Sequence, residues 1–561
     1  MDSFLKGNKA LLLGAIIVVA LGLLLAGCGG GSQETPDENQ GADTTPQEKI
    51  IRISASDVPN IDPGVGNDYV SSTAMCNLYD TLVFPEADGS LSPWLATDWT
   101  HSEDGLTWTF NLRQGVKFHN GDELTAEDVA FSMERLVTMG EGYGYLFTGV
   151  IDQVNEIDDY QVEFKLKKPF GPFLSTLVRL YILNKDQVMA NIQDGSYGEY
   201  GDYGKEWLTT NDAGSGPYTV KEMKKQEHLY AVKFPDFWGG WDPDAPDAIK
   251  LIGTTETATV RTLMNNGELE ISDQWQTEEA LKALDQIPGV SIDAAFTGSI
   301  LNIMLNTQKA PTDDIHFRKA LAYVFDYDTV VDKLFPGSLK AQGPVPFNIP
   351  GFNAELPQYE RNLEKAKEEL AKSKYADQLD QYPIDLVWIA NVPDEEKVAL
   401  LLQANAEEIG ITVNVIKTPW LSFVDQVSTK ENTPHASVVF VSAHYNEAGS
   451  ILSSRYHSSS TGTWEQAEWL ENAEIDQAIE EAIATVDDNE RYAKYQEIQK
   501  QIVDLCPTIW VFDQAEKRAY REDYIYWPGA ELTKAGKSVN AVMGYNFYFR
   551  DYKVFPDKKT Q

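Results

Sequence analysis

The sequence predicts an α/β protein of more than one domain, and three observations lead to this fold class. The chain has 561 residues, which is longer than a single domain usually is. Segments with the two-residue period of strands alternate with segments that have the period of amphipathic helices. The composition, 42% hydrophobic and 24% charged, is that of an ordinary globular protein. The chain therefore has enough apolar residues for several cores.

The N-terminus has the pattern of an export signal. Lys6 and Lys9 precede an apolar run from Ala10 to Leu25, and Leu25-Ala26-Gly27-Cys28 supplies the small residues of a cleavage region. This pattern resembles a bacterial lipobox, in which the cysteine becomes the mature N-terminus and carries lipid. The resemblance implies removal of residues 1–27 and lipidation of Cys28. The alternative is an uncleaved membrane anchor, because about 18 apolar residues approach the length that spans a bilayer.

A flexible tether is predicted after this signal. Residues 29–48 are rich in Gly, Ser, Pro, Thr and acids and have no apolar period. Residues 28–48 would then be the lipidated cysteine and its tether. We expect the folded part at the outer face of the cell membrane or in the periplasm.

The first clear strand and helix lie between residues 106 and 137. Apolar residues alternate with polar ones at Leu106, Trp108, Phe110 and Leu112. This period of two predicts a strand with one buried face. Thr125, followed three residues later by Asp128, is close to a capping box and predicts the start of a helix there.

A βαβ unit is predicted further along the chain. Ile384–Ile389 has the pattern of a strand, Asp394–Ile409 that of a helix ended by Gly410, and Ile411–Val415 that of a second strand. Another apolar strand is expected at Val438–Ala443, with helices at about 473–486 and 489–504. These elements predict a mostly parallel sheet. Ligands of such sheets bind beyond the carboxyl ends of the strands, which points to the loops at 389–393 and 441–450.

Net charge and cysteine content restrict the class of partner and chemistry. Lys and Arg number 46 and Asp and Glu number 86, so the net charge is −40 and neither nucleic acid nor an anionic membrane surface is expected as the main partner. Cys76 and Cys506 have no metal-ligand spacing and are expected in the core. No cofactor and no metal are predicted.

No motif in the sequence predicts catalysis. A G-x-S-x-G nucleophile elbow and an H-E-x-x-H zinc motif are both absent from the sequence. The stretch Ala535-Gly536-Lys537-Ser538 imitates the end of a phosphate loop, but the earlier glycine would fall at Glu531. We therefore expect a protein that is not an enzyme, with a tethered extracellular hydrolase as the alternative of another class.

Four motifs between Trp94 and Arg135 carry a family resemblance. They are LATDW at 95–99, DGLTWTF at 104–110, LRQGVKFHNG at 112–121 and LTAEDV at 124–129. Later motifs follow in order as GSGPY at 214–218, FWGG at 237–240 and RKALAY at 318–323. The chain from Lys49 to Phe555 resembles the family 5 extracellular solute-binding proteins, the peptide- and nickel-type receptors of ABC importers.

The resemblance implies a periplasmic-binding-protein-like α/β fold of two lobes and three domains, with a hinge and the ligand enclosed between the lobes. Domain I would be discontinuous and comprise residues 49–84, 186–296 and 505–561. A small domain II would span 85–185, and domain III, the second lobe, would span 297–504. Lobes of this kind close on a solute because the closed state has the higher affinity for it.

The resemblance also indicates a ligand loop. In peptide-binding relatives the loop after a strand of the third domain carries an aspartate that pairs with the α-amino group of the peptide. Here His444 stands at that position, followed by Tyr445 and Glu447. Replacing a buried carboxylate with imidazole removes the counterion of an ammonium group, and the loss of such a buried partner costs about a few kcal/mol of binding free energy. A neighbouring acid such as Glu447 could take the place of that counterion.

Aromatic residues give the remaining predicted contacts. Trp420 matches a position that often faces ligand in the family, and three further tryptophans and one asparagine are expected near the cleft: Trp275, Trp388, Trp464 and Asn391. Flat aromatic faces also suit sugar rings, although most tryptophans serve cores. A metal chelate held by His444 and His457 is a weaker hypothesis for the ligand.

The sequence therefore predicts a monomeric solute-binding lipoprotein that captures a short peptide or similar oligomeric nutrient and delivers it to an ABC permease. An oligosaccharide is the alternative ligand, favoured by His444 and the tryptophans. A receptor or chaperone role that uses the same lobe closure is a third hypothesis for the function, beside the binding protein and the hydrolase.

Overall fold

The computed structural model describes residues 48–390 and 392–560. Glu48–Gln561 form one compact unit. The predicted signal, the lipidation site Cys28, nearly all of the tether, and Asn391 lie outside the described residues. Among the residues that are described, no helix is both long enough and apolar enough to cross a bilayer.

Within the described residues, the strands form two four-stranded sheets, one six-stranded sheet and two two-stranded ribbons. In chain order they are β1 Ile50–Ala55, β2 Val83–Pro85, β3 Leu91–Pro93, β4 Ala96–His101, β5 Thr107–Leu112, β6 Ile151–Asp158, β7 Gln161–Leu166, β8 Tyr218–Lys224, β9 His228–Lys233, β10 Ala248–Gly253, β11 Val290–Leu305, β12 Leu339–Lys340, β13 Ile384–Ile389, β14 Val413–Thr418, β15 Ala436–Ser442, β16 Thr508–Arg521, β17 Ile525–Tyr526 and β18 Lys553–Val554.

Helices cover the sheets. In chain order they are α1 Tyr69–Leu78, α2 Ala126–Met139, α3 Phe173–Thr176, α4 Lys185–Met189, α5 Thr257–Asn265, α6 Glu278–Leu284, α7 Ile315–Val324, α8 Tyr327–Thr329, α9 Leu363–Lys372, α10 Pro393–Glu407, α11 Trp420–Val427, α12 Ala448–Tyr456, α13 Ala473–Ile483, α14 Asp488–Leu505 and α15 Pro528–Lys534. The short 3₁₀ helices Gly142–Leu146, Leu177–Arg179 and Trp464–Gln466 matter for the site below.

The strand and helix predicted first are confirmed. β5 buries alternate residues, as its two-residue period requires. α2 begins with a capping box, in which Thr125 and Asp128 satisfy each other's backbone N–H groups. The helix ends at Gly140, whose φ of 65° is a left-handed conformation that glycine adopts without strain.

The predicted βαβ unit is also confirmed, but the sheet that contains it is mixed. β13 pairs in parallel with β14, and α10 connects them. The large sheet has the strand order β12-β16-β11-β15-β13-β14. Its β12–β16, β16–β11 and β11–β15 pairs are antiparallel. The expectation of a mostly parallel sheet is therefore wrong, because the long strands β11 and β16 enter the sheet from outside the βαβ unit.

Those two long strands also connect the parts of the molecule. Val290–Phe296 pairs with Ala515–Arg521, and after an irregularity Ile300–Met304 pairs with Thr508–Asp513. Residues 271–272 link one end of this ribbon to the first small sheet. The Ser54 N–H of β1 donates to the Ile271 carbonyl, and the Ser272 N–H donates to the Ala519 carbonyl of β16. The other end forms the centre of the large sheet.

Buried apolar residues form separate cores on the two sides of this ribbon. One core combines residues 51–271 with the C-terminal stretch 520–554 and includes Cys76. The other side of the ribbon holds two clusters, formed by residues from 300–512 together with Ala541, and one of them includes Cys506. Cys76 and Cys506 are free buried thiols, which confirms their prediction as core residues. We call the part that carries the two four-stranded sheets the first lobe, and the part that carries the six-stranded sheet the second lobe.

Candidate functional site

The carboxyl end of β15 brings the second lobe against the first. The loop that follows this strand carries His444, whose ring meets Tyr143 and Tyr145 edge-on, with ring centroids 6.1 and 5.5 Å away. Both tyrosines belong to the short helix Gly142–Leu146 of the first lobe. Tyr445, the next residue, is 2% exposed and packs in the core of the first lobe. The predicted ligand loop therefore lies in a cleft between the lobes.

An acid that the sequence analysis did not select lies beside His444. The Nε2 atom of His444 is 2.8 Å from Oε1 of Glu465. Arg455 fixes the backbone of this acid, since its Nε donates to the Glu465 carbonyl at 2.8 Å. The Glu465 side chain keeps 11% of its surface exposed. Tyr145, whose ring meets that of His444, is 44% exposed, so this group of side chains borders open space on the tyrosine side.

Glu447, which the sequence offered as a substitute counterion, is engaged elsewhere. It is fully buried, and Arg491 donates to its two carboxylate oxygens at 2.9 and 2.8 Å. The hydroxyl of Tyr495 donates to it at 2.7 Å. These bonds tie the ligand loop to α14. Glu447 therefore holds the framework of the cleft and does not present a free carboxylate to it.

The predicted tryptophans have different surroundings. Trp420 is 38% exposed, and its ring lies 5.1 Å from that of Trp464 in an edge-to-face arrangement. Trp275 is half-buried against Phe440, with ring centroids 5.8 Å apart. Trp388 is 4% exposed in the core of the second lobe. The Trp420–Trp464 pair thus offers open aromatic surface, whereas Trp388 serves the core.

Small cavities lie beside the ribbon of β11 and β16. One, between the lobes, is lined by Ser442, Asn540, Met543 and Tyr69, and a second, on the side of the first lobe, shares Tyr69. A third shares Gln274 with the second. The empty space in the cleft is therefore divided, and the lobes lie close together in this structure.

The second cavity has a paired charge at its wall. Arg518 donates to Glu516 at 2.7 Å, and Tyr69 donates to the same carboxylate at 3.2 Å. The hydroxyl of Thr297 adds a further bond to it at 3.2 Å. This carboxylate is fully engaged by protein groups, in contrast to Glu465.

A further charged group of the cleft is Arg179, which the sequence analysis also missed. It ends the short helix Leu177–Arg179 of the first lobe. Its Nε donates to the His444 carbonyl at 2.7 Å, and its Nη1 donates to the Met543 carbonyl at 3.0 Å. The cleft thus combines an acid, an imidazole, a guanidinium and aromatic rings, which are groups that bind polar solutes without a covalent step.

Comparisons with known proteins agree with this architecture. A family model described as bacterial extracellular solute-binding proteins, family 5 Middle, matches residues 90–463. The probable D,D-dipeptide-binding periplasmic protein DdpA of Escherichia coli is 28% identical over 488 residues, which cover 85% of this chain and 91% of that protein. The heme-binding protein A of Haemophilus influenzae is 26% identical over 528 residues, with coverage of 88% and 92%.

A solved structure shows the same fold. The ABC transporter-associated periplasmic binding protein DppA of Helicobacter pylori, in complex with the peptide STSA, matches with a TM-score of 0.76 at 24% identity, over 91% of this chain and 98% of that one. The predicted two-lobed α/β fold of periplasmic binding proteins is therefore confirmed. Because the family model matches more than half of the sequence, the chain belongs to the bacterial extracellular solute-binding proteins of family 5.

Proposed function

We propose that this chain is the solute-binding lipoprotein of an ABC importer, which captures a short peptide or a similar oligomeric nutrient and delivers it to a membrane permease. Members of the family are binding proteins rather than enzymes. Enclosure between lobes explains how such a protein works without chemistry, because closure strengthens each polar contact to the solute. The fold and the cleft between its lobes support this role.

The observation that carries the peptide proposal is the pair of His444 and Glu465. An aspartate is missing at position 444, but the Glu465 carboxylate reaches the same loop, 2.8 Å from the imidazole. A largely buried carboxylate beside aromatic rings suits an ammonium group, which would combine charge pairing with cation–π contact. Two of the related proteins above are named or solved with peptides, whereas one is named for heme.

Membrane attachment through Cys28 completes the proposal. Lipid on this cysteine would keep the binding protein beside its permease at the outer face of the membrane or in the periplasm. Mass spectrometry of the mature protein tests it, since a lipidated Cys28 at the N-terminus is expected. A chain that begins at Met1 or at another residue would contradict the lipoprotein assignment.

A thermal-shift screen tests the ligand. The soluble form from Glu48 onward is incubated with short peptides and with oligosaccharides, and a solute at about 100 times its Kd is expected to add about 2.7 kcal/mol of stability. Stabilisation by peptides supports the proposal. Stabilisation by oligosaccharides alone would show that the ligand is an oligosaccharide and not a peptide. The open Trp420–Trp464 pair is the observation that supports this alternative.

Glu465→Gln tests the proposed counterion. We expect the variant to bind the stabilising peptide about ten- to hundredfold more weakly, because an ion pair with the ammonium group becomes a hydrogen bond from that group to a neutral amide. The matched control is Glu474→Gln, an exposed acid in α13, which should leave affinity unchanged. Equal affinities of wild type and Glu465→Gln, measured by calorimetry, would show that the ammonium group binds elsewhere.

A further inference from the structure

A surface pocket of the first lobe is roomier than the cavities beside the ribbon. It is lined by residues 57–60, Thr209, Met223, Lys225 and Gln226, and we call it the β8 pocket. Its volume is about 220 Å³, against about 10, 10 and 20 Å³ for the three cavities described above. About 10–15 Å³ on this scale holds one water molecule. Those cavities therefore hold little more than water, whereas the β8 pocket has room for a small solute.

The β8 pocket lies at one end of the four-stranded sheet of β1, β8, β9 and β10. β1 and β8 run in the same direction in this sheet, so their carboxyl ends meet at the same edge. Residues 57–60 follow β1, Met223 lies in β8, and Lys225 and Gln226 form the turn between β8 and β9. Thr209 ends a short 3₁₀ helix. All these residues belong to the first lobe, and the three cavities beside the ribbon are lined by others.

The pocket carries one charge of each sign. Asp57 and Lys225 are both exposed, and no ion pair within 4 Å joins either of them to another described residue. The neighbouring Lys224 and His228, in contrast, both pair with Glu222. The other lining residues are neutral, so the formal charge of the lining is zero in a chain whose net charge is −40. Complementary charges favour a solute that carries both an ammonium group and a carboxylate.

Apolar side chains complete the lining of the pocket. Pro59 is buried, and Val58 and Met223 are half-buried. Val58 packs on the end of β10, since its Cγ2 would lie 3.0 Å from a Cβ atom at Gly253. Sites for small molecules typically combine such apolar surface with a few polar groups. The β8 pocket therefore suits a solute with an apolar body beside its charges.

Gln226 stands where turn geometry favours glycine. The Glu227 N–H donates to the Lys224 carbonyl at 3.0 Å and closes a four-residue turn. Gln226 is the third residue of this turn and has a φ of 70°. Glycine or asparagine is usual there, because a Cβ atom is strained in the left-handed conformation. The chain thus keeps a strained glutamine whose side chain lines the pocket, and such strain concentrates at functional sites.

We propose that the β8 pocket is a second solute site, separate from the cleft, and that it binds a free α-amino acid with an apolar side chain, such as leucine. Lys225 pairs with the carboxylate of the amino acid, and Asp57 pairs with its ammonium group. The apolar side chain lies against Val58 and Met223, and the Gln226 amide adds a hydrogen bond. This site does not depend on which solute the cleft binds.

Methyl NMR of the methionines tests the location. In the protein from Glu48 onward, leucine should shift the Met223 methyl resonance in a saturable way, with a Kd of about 1 mM or tighter, which two charged contacts can supply. Met223→Leu and Met543→Leu assign the two resonances. Met543 lines the cavity between the lobes, so its resonance is the internal control and should not move with leucine. A shift of Met543 alone, or of neither residue, would refute the site and leave the peptide proposal untouched.

Analogues of leucine that lack one charge test the polar contacts. By the same titration, leucine should bind at least about tenfold more tightly than leucinamide, which lacks the carboxylate, and than 4-methylpentanoate, which lacks the ammonium group. In Lys225→Met the preference over leucinamide should fall towards one, and in Asp57→Asn the preference over 4-methylpentanoate should do so. If the three compounds bind the wild type equally well, the pocket does not recognise a zwitterion and the proposal is wrong.

Matched controls come from exposed charges of the same lobe. Lys221 lies in β8, and Asp236 lies in the loop after β9. Neither residue lines the β8 pocket. Lys221→Met and Asp236→Asn should therefore keep both preferences of the wild type. Equal losses in the control variants and in Lys225→Met and Asp57→Asn would reveal a general effect of net charge and refute the assigned contacts.

Gln226→Gly separates a ligand contact from a structural residue. Glycine removes the strain of the left-handed conformation, so the urea midpoint of unfolding should rise. Leucine should nevertheless bind about two- to tenfold more weakly, because the hydrogen bond from the amide is lost. A variant that loses stability and binds leucine as the wild type does would show that Gln226 serves the turn and not the solute.

Discussion

Buried ion pairs fix the residues that face the cleft. Arg491 and Glu447 tie the loop after β15 to α14. Arg455 pairs with Glu468 and holds the carbonyl of Glu465. Both ion pairs are buried in the second lobe, whereas the side chains that they position, His444 and Glu465, lie in the cleft. The charges of the framework therefore preset His444 and Glu465 before a solute arrives, which reduces the ordering that binding must impose.

Glu447→Gln tests this division of roles. Removing a buried partner usually costs 3–5 kcal/mol, but Arg491 keeps a 2.7 Å bond to Asp488, so we expect a loss of about 2 kcal/mol in the free energy of unfolding. Urea unfolding measures it. Glu490→Gln, at an exposed position of the same helix, is the control and should change little.

The opposite result would identify Glu447 as a ligand contact. An unchanged urea midpoint together with a weaker peptide affinity would mean that Glu447 contacts the solute and not Arg491. The proposal that assigns the counterion to Glu465 would then be wrong in this respect.

The sequence could not identify Glu465 or Arg179 as site residues. Glu465 is 21 positions from His444, and Arg179 is 265 positions away. One acid among 86 acids carries no mark of its partner in the sequence. The sequence indicates Glu447 because it lies near His444 in the chain, but its burial and its ion pair with Arg491 determine its role. The sequence indicates Trp420 and Trp464 as aromatic candidates, but it does not predict that their rings contact each other.

At the scale of elements, the ribbon of β11 and β16, which connects the lobes, contains an irregular stretch. Its register changes between Phe296 and Ile300, and Gly298 lies in this irregular stretch with a φ of 78°. Asp513 pairs with Ile300, between this irregularity and a second one at Leu301/Asn302. Its side chain is buried, and its Oδ1 has no hydrogen-bond partner among the residues that are described. The ribbon thus carries a desolvated acid where its pairing changes.

Asp513 should make stability depend on pH. Burial raises its pKa from 3.8 to about 7, and the hydrogen bond from the Phe347 backbone offsets part of this. The folded protein therefore holds a proton that the unfolded chain releases between these values. The free energy of unfolding should fall as pH rises from about 4 to 7, by at most about 1.4 kcal/mol per pH unit, and level off above.

Asp513→Asn isolates this contribution. The variant should lose the dependence and gain stability over the wild type when pH is raised from 5 to 8, as measured by urea unfolding at both values. The exposed Asp504→Asn serves as the control and should keep the dependence of the wild type. If Asp513→Asn and the wild type change in parallel, Asp513 is charged in the folded protein at pH 5.

Local elements were predictable because their periods are visible in the sequence. β5, α2 and the unit β13-α10-β14 each follow from spacing and capping residues that are near one another in the chain, and the longest of them spans only residues 384–418. The direction of strands in the large sheet does not follow from such patterns, since β11 and β16 are more than 200 residues apart and pair only in the folded chain. The mixed sheet is the result of this long-range pairing.

At the scale of the whole molecule, contacts across the cleft define a closed arrangement. Tyr445 of the second lobe packs in the core of the first. The turn between β2 and β3 contains Gly89, with a φ of 87°, and a Cβ atom there would lie 2.6 Å from Nδ2 of Asn446 in the ligand loop. The hairpin of one lobe thus approaches the loop of the other so closely that a side chain at position 89 would have to displace the Asn446 amide.

Gly89→Leu should therefore act as a wedge that disfavours closure. We expect the variant to bind the stabilising peptide at least about tenfold more weakly, because the closed state is the one with high affinity. Calorimetry measures the affinity. X-ray scattering should show that peptide decreases the radius of gyration of the wild type and leaves that of Gly89→Leu nearly unchanged.

The control must carry the same backbone strain without the wedge. Gly115 has a φ of 75°, and a Cβ atom there would meet no described atom within 4 Å. Gly115→Leu and Gly89→Leu should both lose about 1–2 kcal/mol of stability from the left-handed conformation. Affinity should fall in Gly89→Leu alone. If both variants bind peptide equally well, the hairpin moves aside on closure, and the contact between Gly89 and Asn446 does not limit the approach of the lobes.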